Sequence, residues 1–289
     1  MPRRDRPRSY APTEAFPRLG PVDTAIPTST GSVRLIRESD GSVLLEVNGV
    51  PSSQQHPDPA HLVFEYMRWM ALVVGLHLER EEVRAALATS PAPLEIAHLG
   101  GGGCSLPRAL AATHPAARQL VVELDGQLAE LVRTWFELPR SPRLRIRVDD
   151  AAEALAAWRE DRFEVLIRDV FAGDRTPAEL ITQETARQAD RVLRPGGIYL
   201  ANCAAPPGSG MIAAEIATLA EVFAHVGVIA EPAHLGNKRR SNAVLLASQE
   251  PLPEGVDRAL RSDAVSVRLA PRDQVENLRR SGQVLRAGA

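Results

Sequence analysis

The sequence predicts an α/β protein built around a doubly wound, mostly parallel β-sheet. Between residues 94 and 247, short apolar runs alternate with stretches that suit helices of about 10–15 residues. The apolar runs are continuous, which is typical of strands covered on both faces. The chain has 289 residues, 44% of them hydrophobic, which is enough for a large buried core. We therefore expect seven strands, at residues 94–99, 119–124, 144–148, 163–167, 198–201, 228–230 and 243–247.

A small module is predicted ahead of this sheet. Residues 1–30 are rich in Pro and Arg and are expected to form a disordered tail. Two apolar runs then flank Asp40-Gly41, a dipeptide typical of a β-hairpin. From residue 62 the apolar residues recur at spacings of three and four, which predicts an amphipathic helix. Residues 31–90 are thus expected to form a β-hairpin and helix module.

The remainder divides into an α/β domain and an extension. Residues 91–250 contain the seven predicted strands and the helices between them, the longest over residues 177–193. Residues 251–289 are Arg-rich and weakly periodic, and we expect a C-terminal extension with one helix over residues 271–280.

Composition excludes several classes of protein. Lys and Arg total 34 against 36 Asp and Glu, a net charge of −2, which argues against nucleic-acid binding. No apolar run reaches the roughly 18 residues of a membrane span, and no signal peptide is recognisable. The two cysteines and seven histidines have no metal-ligand spacing, so no metal is expected. These patterns predict a cytoplasmic protein that binds neither membrane nor nucleic acid.

A glycine-rich loop is the strongest local signal. Residues 96–105 read Ile-Ala-His-Leu-Gly-Gly-Gly-Gly-Cys-Ser, directly after the first predicted strand of the sheet and before a helix. Gly100, Gly101 and Gly102 allow a tight turn and bring backbone N–H groups close to a bound ligand. The alternative is a tight turn without a ligand.

Acidic residues follow the next three strands of the sheet. Glu123 lies 23 residues beyond Gly100 (123 − 100), near the spacing of about 20 at which an acid binds a ribose in nucleotide-binding folds. Its alternative role is a solvated, helix-capping acid. Asp150 could likewise be only the N-cap of the next helix. Asp169, between apolar neighbours, is expected to be a partly desolvated carboxylate on the floor of a pocket.

Together these features resemble one enzyme family. The hairpin and helix, the triple-glycine loop, the acid in Val-Glu-Leu-Asp, the Asp-Ala after the third strand and the Asp after the fourth resemble the polyamine aminopropyltransferases. This is the spermidine synthase family of the class I S-adenosylmethionine-dependent methyltransferase superfamily, and the likeness spans residues 32–248. It implies a seven-stranded Rossmann-like sheet. It also implies a homodimer that uses decarboxylated S-adenosylmethionine, or S-adenosylmethionine, as co-substrate.

The resemblance also assigns residues to roles. Asp169 would deprotonate or orient the attacking amine. Six residues would bind the methionine-derived part, the ribose and the adenine of the co-substrate: Gly100, Gly101, Gly102, Glu123, Asp150 and Ala151. By the same resemblance, the family usually has an Asp where this chain has Gly103, and a second Asp where it has Ala172. Asp174 lies close enough in sequence to replace the second.

Three functions therefore stay open at this point. The first is transfer of an aminopropyl group to a small-molecule amine. The second is methyl transfer from S-adenosylmethionine to an acceptor that the sequence does not identify, because Gly103 removes a carboxylate expected to bind an ammonium group. The third is a binding or scaffold protein that keeps the fold without turnover.

Overall fold

The computed structural model describes residues 15–173, 175–206, 208–235 and 241–288. An N-terminal module contains a four-stranded antiparallel sheet with strand order β1-β2-β3-β4. Its strands are β1 (Ala25–Thr28), β2 (Gly31–Arg37), β3 (Val43–Val47) and β4 (Val50–Gln55). Strands β2 and β3 form the hairpin expected around Asp40-Gly41. Two helices follow, α1 (Glu65–Leu78) and α2 (Glu81–Thr89).

The prediction of a disordered tail over residues 1–30 is wrong for residues 15–30, which pack against the rest of the protein. Residues 1–14 lie outside the described residues. Phe16 is only 3% exposed and packs edge-on against Phe136, with ring centroids 5.5 Å apart. Strand β1 pairs with β2 and forms an edge of the small sheet. Pro27 is compatible with this position because an edge strand does not need every N–H group for pairing.

The larger sheet has eight strands in the described residues, in the order β12-β10-β11-β9-β8-β5-β6-β7. Strands β5 to β9 are parallel to their neighbours in that group, whereas β10, β11 and β12 pair antiparallel. Their bounds are β5 (Glu95–Leu99), β6 (Arg118–Glu123), β7 (Leu144–Val148), β8 (Phe163–Arg168), β9 (Leu193–Ala205), β10 (His225–Ala230), β11 (Ser241–Ser248) and β12 (Arg268–Leu269). The doubly wound, mostly parallel sheet is therefore confirmed. The eighth strand, β12, has two residues, too few for a periodic signal.

Helices cover both faces of this sheet. They are α3 (Ser105–Thr113), α4 (Gly126–Trp135), α5 (Ala151–Ala157), α6 (Gln183–Val192), α7 (Met211–Ala220), α8 (Pro232–Leu235), α9 (Val256–Leu260) and α10 (Arg272–Ser281). The single helix predicted over residues 177–193 is wrong. A 3₁₀ turn (Ala178–Ile181) precedes α6, and Thr182 separates the two because its hydroxyl caps the Thr185 N–H of α6.

Two apolar layers enclose the sheet, because successive residues of a strand point to opposite faces. Ala97 and Leu166 pack with α5, α6 and α7, while Ile96 and Val165 pack with α1, α3 and α9. A third cluster joins the N-terminal sheet to α4. Among the described residues, no helix is both long enough and apolar enough to cross a bilayer.

Candidate functional site

The glycine loop lies at the carboxyl end of β5, beside the carboxyl end of β8. Gly100 has φ of 89°, and a Cβ atom there would lie 2.2 Å from the backbone oxygen of Asp169. Only glycine fits both the conformation and the space. Cys104 adopts a left-handed conformation before α3 and does not cap that helix with its side chain. The loop is thus held tightly against the strand that carries Asp169.

Glu123 lies at the end of β6 and binds the glycine loop. Its Oε2 accepts hydrogen bonds from the N–H groups of Gly101 (3.0 Å) and Gly102 (2.8 Å), and its Oε1 accepts from Asp125 N–H (3.0 Å). A carboxylate offers about four lone-pair sites. Three are used here, so about one remains for a ligand hydroxyl. The predicted ribose role therefore requires that Glu123 serve the loop and the ligand together.

Asp150 and Ala151 begin α5 at the neighbouring strand end. Asp150 Oδ1 accepts from the N–H groups of Ala152 (2.8 Å) and Glu153 (3.0 Å), so the N-capping alternative is what the structure shows. Its Oδ2 is not used in those bonds. Asp149 N–H donates to the carbonyl of Glu123 (3.1 Å), which keeps this turn next to β6. The adenine contact of Asp150 and Ala151 stays a prediction.

Asp169 follows β8 and is half-buried, with both carboxylate oxygens hydrogen-bonded. Tyr66 Oη donates to Oδ2 (3.0 Å) and Asn202 Nδ2 donates to Oδ1 (2.9 Å). Burial raises the pKa of Asp169, and the bonds from Asn202 and Tyr66 and the charge of Arg168 only partly oppose this. Burial, together with the Asp169 charge, holds the pKa of Tyr66 well above its ordinary value, so the phenol remains a donor. Asp169 is therefore a proton acceptor with a raised pKa.

A buried ion pair lies behind this carboxylate, on the other face of the sheet. Arg168 Nη2 is 2.6 Å from Glu215 Oε2 of α7 and 3.1 Å from the carbonyl oxygen of Asn202. Both charged side chains are nearly inaccessible to solvent, at 2% and 4% exposed. Desolvation alone would lower the pKa of Arg168, but the Glu215 charge outweighs it and raises that pKa. Arg168 therefore stays protonated at neutral pH.

The positions of the two missing family aspartates differ in their surroundings. A Cβ atom on Gly103 would lie 2.0 Å from Ser53 Oγ of β4, so a serine hydroxyl fills the space where a side chain at residue 103 would begin. Gln55 of the same strand donates through Nε2 to the Gly103 carbonyl. Ala172 N–H binds the Arg175 carbonyl in a turn (2.8 Å). Asp174, the predicted substitute, lies outside the described residues.

The structure thus brings Gly100, Gly101, Gly102, Glu123 and Asp169 together at one edge of the sheet. The sequence did not identify Tyr66 or Asn202 as residues of the candidate site. Tyr66 lay on the predicted amphipathic helix, and Asn202 directly followed the predicted strand at residues 198–201. A polar residue directly after the apolar run 198–201 was the available signal for Asn202.

Metal and thiol chemistry have no assembled site in the part of the chain that the structure describes. No group of three or more His, Cys, Asp or Glu side chains there could hold a metal ion. Cys104 is buried, and burial together with the Glu123 charge raises its pKa to about 12. A thiol with that pKa is inert at neutral pH, which fits a small residue packed in a tight loop.

The fold and this edge define a class: a doubly wound, Rossmann-like α/β protein with its candidate site at the carboxyl ends of parallel strands. The structure of a probable spermidine synthase from Corynebacterium glutamicum is 34% identical, with a TM-score of 0.84 over 93% of this chain and 98% of that one. The polyamine aminopropyltransferase of Vibrio vulnificus is 26% identical over 75% of this chain and 67% of its own length. The chain belongs to the spermidine synthase-like family.

A more distant structure shows the wider fold. Human methyltransferase-like protein 13, solved in complex with SAH, is 21% identical, with a TM-score of 0.52 over 69% of this chain. That likeness establishes the methyltransferase-type fold alone. No protein-family model matches the chain.

Proposed function

We propose that this protein is a spermidine synthase-like transferase that binds a nucleoside sulfonium and transfers its aminopropyl group to a small-molecule amine. The observation that carries the proposal is the half-buried Asp169 carboxylate, held by Tyr66 and Asn202 directly beside the glycine loop. Membership of the spermidine synthase-like family supports the same reaction.

The carboxylate has the properties that this displacement needs. The amine nitrogen forms a bond to the carbon next to the sulfonium, the carbon–sulfur bond breaks, and its electron pair stays on sulfur as a neutral thioether. The proton released from the amine nitrogen passes to an oxygen of Asp169. Because burial raises the pKa of Asp169, the carboxylate is a better general base than an exposed one. The rate enhancement that proton transfer does not supply comes from alignment of the reactants.

The residues at the strand ends suit the co-substrate, decarboxylated S-adenosylmethionine or S-adenosylmethionine itself. Gly100, Gly101 and Gly102 would lie under its methionine-derived part, and the remaining lone pair of Glu123 would accept from a ribose hydroxyl. Asp150 and Ala151 would contact the adenine. Sulfonium chemistry supplies an electrophilic carbon, so the proposed reaction does not require a metal.

Methyl transfer is the second candidate, and one observation favours it. The loop position that would carry a carboxylate is Gly103, and the neutral hydroxyl of Ser53 occupies that space. A hydroxyl can donate to the carboxylate of intact S-adenosylmethionine, whereas an aspartate would repel it. The polyamine aminopropyltransferase relative favours aminopropyl transfer over this alternative.

A cytoplasmic homodimer is proposed from the family resemblance, and size-exclusion chromatography with light scattering tests the dimer.

Ligand titration separates the candidates. The purified protein is titrated with S-adenosylmethionine, its decarboxylated form and methylthioadenosine while the melting temperature is followed. A ligand at 100 times its dissociation constant stabilises by about 2.7 kcal/mol. Preference for the decarboxylated form supports aminopropyl transfer, and preference for the intact form supports methyl transfer. No shift with any of the three ligands would overturn both enzymatic proposals in favour of a scaffold.

Two substitutions then test the assigned roles. Asp169→Asn is expected to abolish turnover, about 100-fold or more, while nucleoside binding stays close to wild type, because the amide cannot accept the proton. Glu123→Gln is expected to raise the nucleoside dissociation constant and to loosen the glycine loop. Asp257→Asn, in an exposed ion pair with Arg261, is the matched control and should change neither quantity. Equal loss of binding and turnover in Asp169→Asn would contradict its role.

A further inference from the structure

One polar residue in β9 contacts Asp169 from within the sheet. Asn202 is 1% exposed and pairs with Val244 of the neighbouring strand β11. Its Nδ2 donates to Asp169 Oδ1 (2.9 Å), while Tyr66 holds the other carboxylate oxygen. A buried amide in an apolar strand is destabilising unless it is hydrogen-bonded. The bond to Asp169 is therefore the main interaction of this side chain.

The backbone at Asn202 is fixed from the opposite face. Its carbonyl accepts from Arg168 Nη2 (3.1 Å), and the same nitrogen binds Glu215 (2.6 Å). Arg168 and Asp169 are consecutive, so their side chains point to opposite faces of the sheet. One residue, Asn202, thus contacts both: its carbonyl binds the ion pair, and its amide binds the carboxylate.

The orientation of the amide depends on the charge of Asp169. An ionised carboxylate only accepts hydrogen bonds, so the Nδ2 group of Asn202 must face it. Asn202 Oδ1 is then left buried and without a hydrogen-bond partner among the described residues. A flipped amide would place Oδ1 against a negative carboxylate. The unpaired acceptor is the consequence of keeping the donor on Asp169.

We infer that Asn202 is a positioning residue for the proton-transfer step of the proposed function: it fixes the orientation of the Asp169 carboxylate and stabilises its ionised form. The inference rests on the proposed function for its kinetic consequence alone. The interaction itself is independent of which group is transferred.

The groups around Asp169 determine the direction of the pH effect. Burial raises its pKa, whereas Asn202, Tyr66 and the charge of Arg168 lower it. Glu215, on α7, forms an ion pair with Arg168 on the opposite face of the sheet. Removal of the Asn202 donor takes away one of the groups that lower the pKa of Asp169, while burial still raises it. The pKa of Asp169 should therefore rise. The acid limb of a rate profile that requires ionised Asp169 then moves to higher pH.

Asn202→Leu is the informative variant because it removes the donor and roughly keeps the volume. We expect kcat near pH 7 to fall about tenfold, as for loss of one hydrogen bond to a charged group. The acid limb should move up by about one pH unit. The dissociation constant of the nucleoside should stay within about twofold of wild type. Asn202→Gln, which retains the donor, should recover part of the loss.

Ser248→Ala is the matched control. Ser248 is a buried residue of β11 whose hydroxyl donates to the Gly197 carbonyl (2.9 Å), so the variant loses a buried hydrogen bond elsewhere in the same sheet. It should leave the acid limb unmoved. A purely structural role for Asn202 would instead lower the rate equally at all pH values, as in an unstable protein.

Two NMR measurements make the test independent of activity. The carboxyl carbon of Asp169, assigned with Asp169→Asn, should titrate at higher pH in Asn202→Leu than in wild type. In the unmodified protein, the side-chain amide resonances of Asn202 should titrate with the same midpoint as that carboxyl. If neither the carboxyl midpoint nor the rate profile moves, or if the amide does not follow the carboxyl, the inference is overturned. Absence of any turnover in wild type would contradict the proposed function, and the NMR titrations would still decide this inference.

Discussion

Gly103 and Ser53 form a contact that a double substitution can test. A Cβ atom on Gly103 would lie 2.0 Å from Ser53 Oγ and 3.2 Å from Ser53 Cβ, with the next atom, Leu45 Cδ1, at 3.6 Å. The backbone of Gly103 is not left-handed, so the penalty for a side chain is steric alone. Both residues are buried. We therefore expect Gly103→Ala to destabilise the protein by about 1–3 kcal/mol, the usual range for overpacking.

The size of this destabilisation depends on the neighbouring residue, Ser53, and not on the conformation of the glycine loop. Ser53→Gly removes both close atoms and leaves only the ordinary contact with Leu45. Alone it should be destabilising by roughly 0.5–1 kcal/mol, because glycine weakens a strand interior. In the double variant the penalty of Gly103→Ala should almost disappear, so the coupling free energy should be nearly as large as that penalty, about 1–3 kcal/mol.

Urea unfolding of the four proteins measures that coupling. Gly100→Ala is the control: its Cβ would lie 2.2 Å from a backbone oxygen and its φ is 89°, so Ser53→Gly should not rescue it. Wild-type stability of Gly103→Ala would refute the steric reasoning. So would a double variant whose loss of unfolding free energy equals the sum of the losses in the two single variants.

Gly103→Asp in the Ser53→Gly background then restores a loop carboxylate, and it should strengthen binding of the decarboxylated co-substrate about tenfold or more.

Two further predictions concern buried charge. Burial lowers the pKa of His98 to about 4, so unfolding takes up a proton below the ordinary value of 6.5. The contribution of His98 to the free energy of unfolding should be complete above pH 6.5 and should fall by roughly 3 kcal/mol towards pH 4. Denaturant unfolding at several pH values measures this change. His98→Gln should flatten that slope. Glu215→Ala leaves Arg168 buried and unpaired and should be destabilising by about 3–5 kcal/mol, with Glu215→Gln less severe; a loss below 1 kcal/mol would mean that water reaches Arg168.

The parallel sheet was predictable because its signal is local: continuous apolar runs, the first four of which lead into a glycine loop or an acid. The position of Asp169 followed from the same pattern. The contacts of Tyr66 and Asn202 did not, because each contact joins residues far apart in the sequence, 103 and 33 positions from Asp169. The strand at residues 25–28 was hidden because the many prolines of residues 1–30 suggested disorder, although an edge strand accepts the single proline, Pro27, that this strand contains.

The N-terminal module and the sheet contribute different parts of the candidate site. The parallel strands provide Glu123 and Asp169 at their carboxyl ends, the residues proposed to bind the ribose and to accept the proton. The module provides Tyr66, which donates to Asp169, and Ser53, which fills the side-chain space of Gly103. Asp125 locks the two together, because its carboxylate accepts from the loop between β1 and β2 and also caps α4. Under the proposed function, we therefore expect substitutions at Ser53 to alter which co-substrate is accepted while the Asp169 carboxylate stays in place.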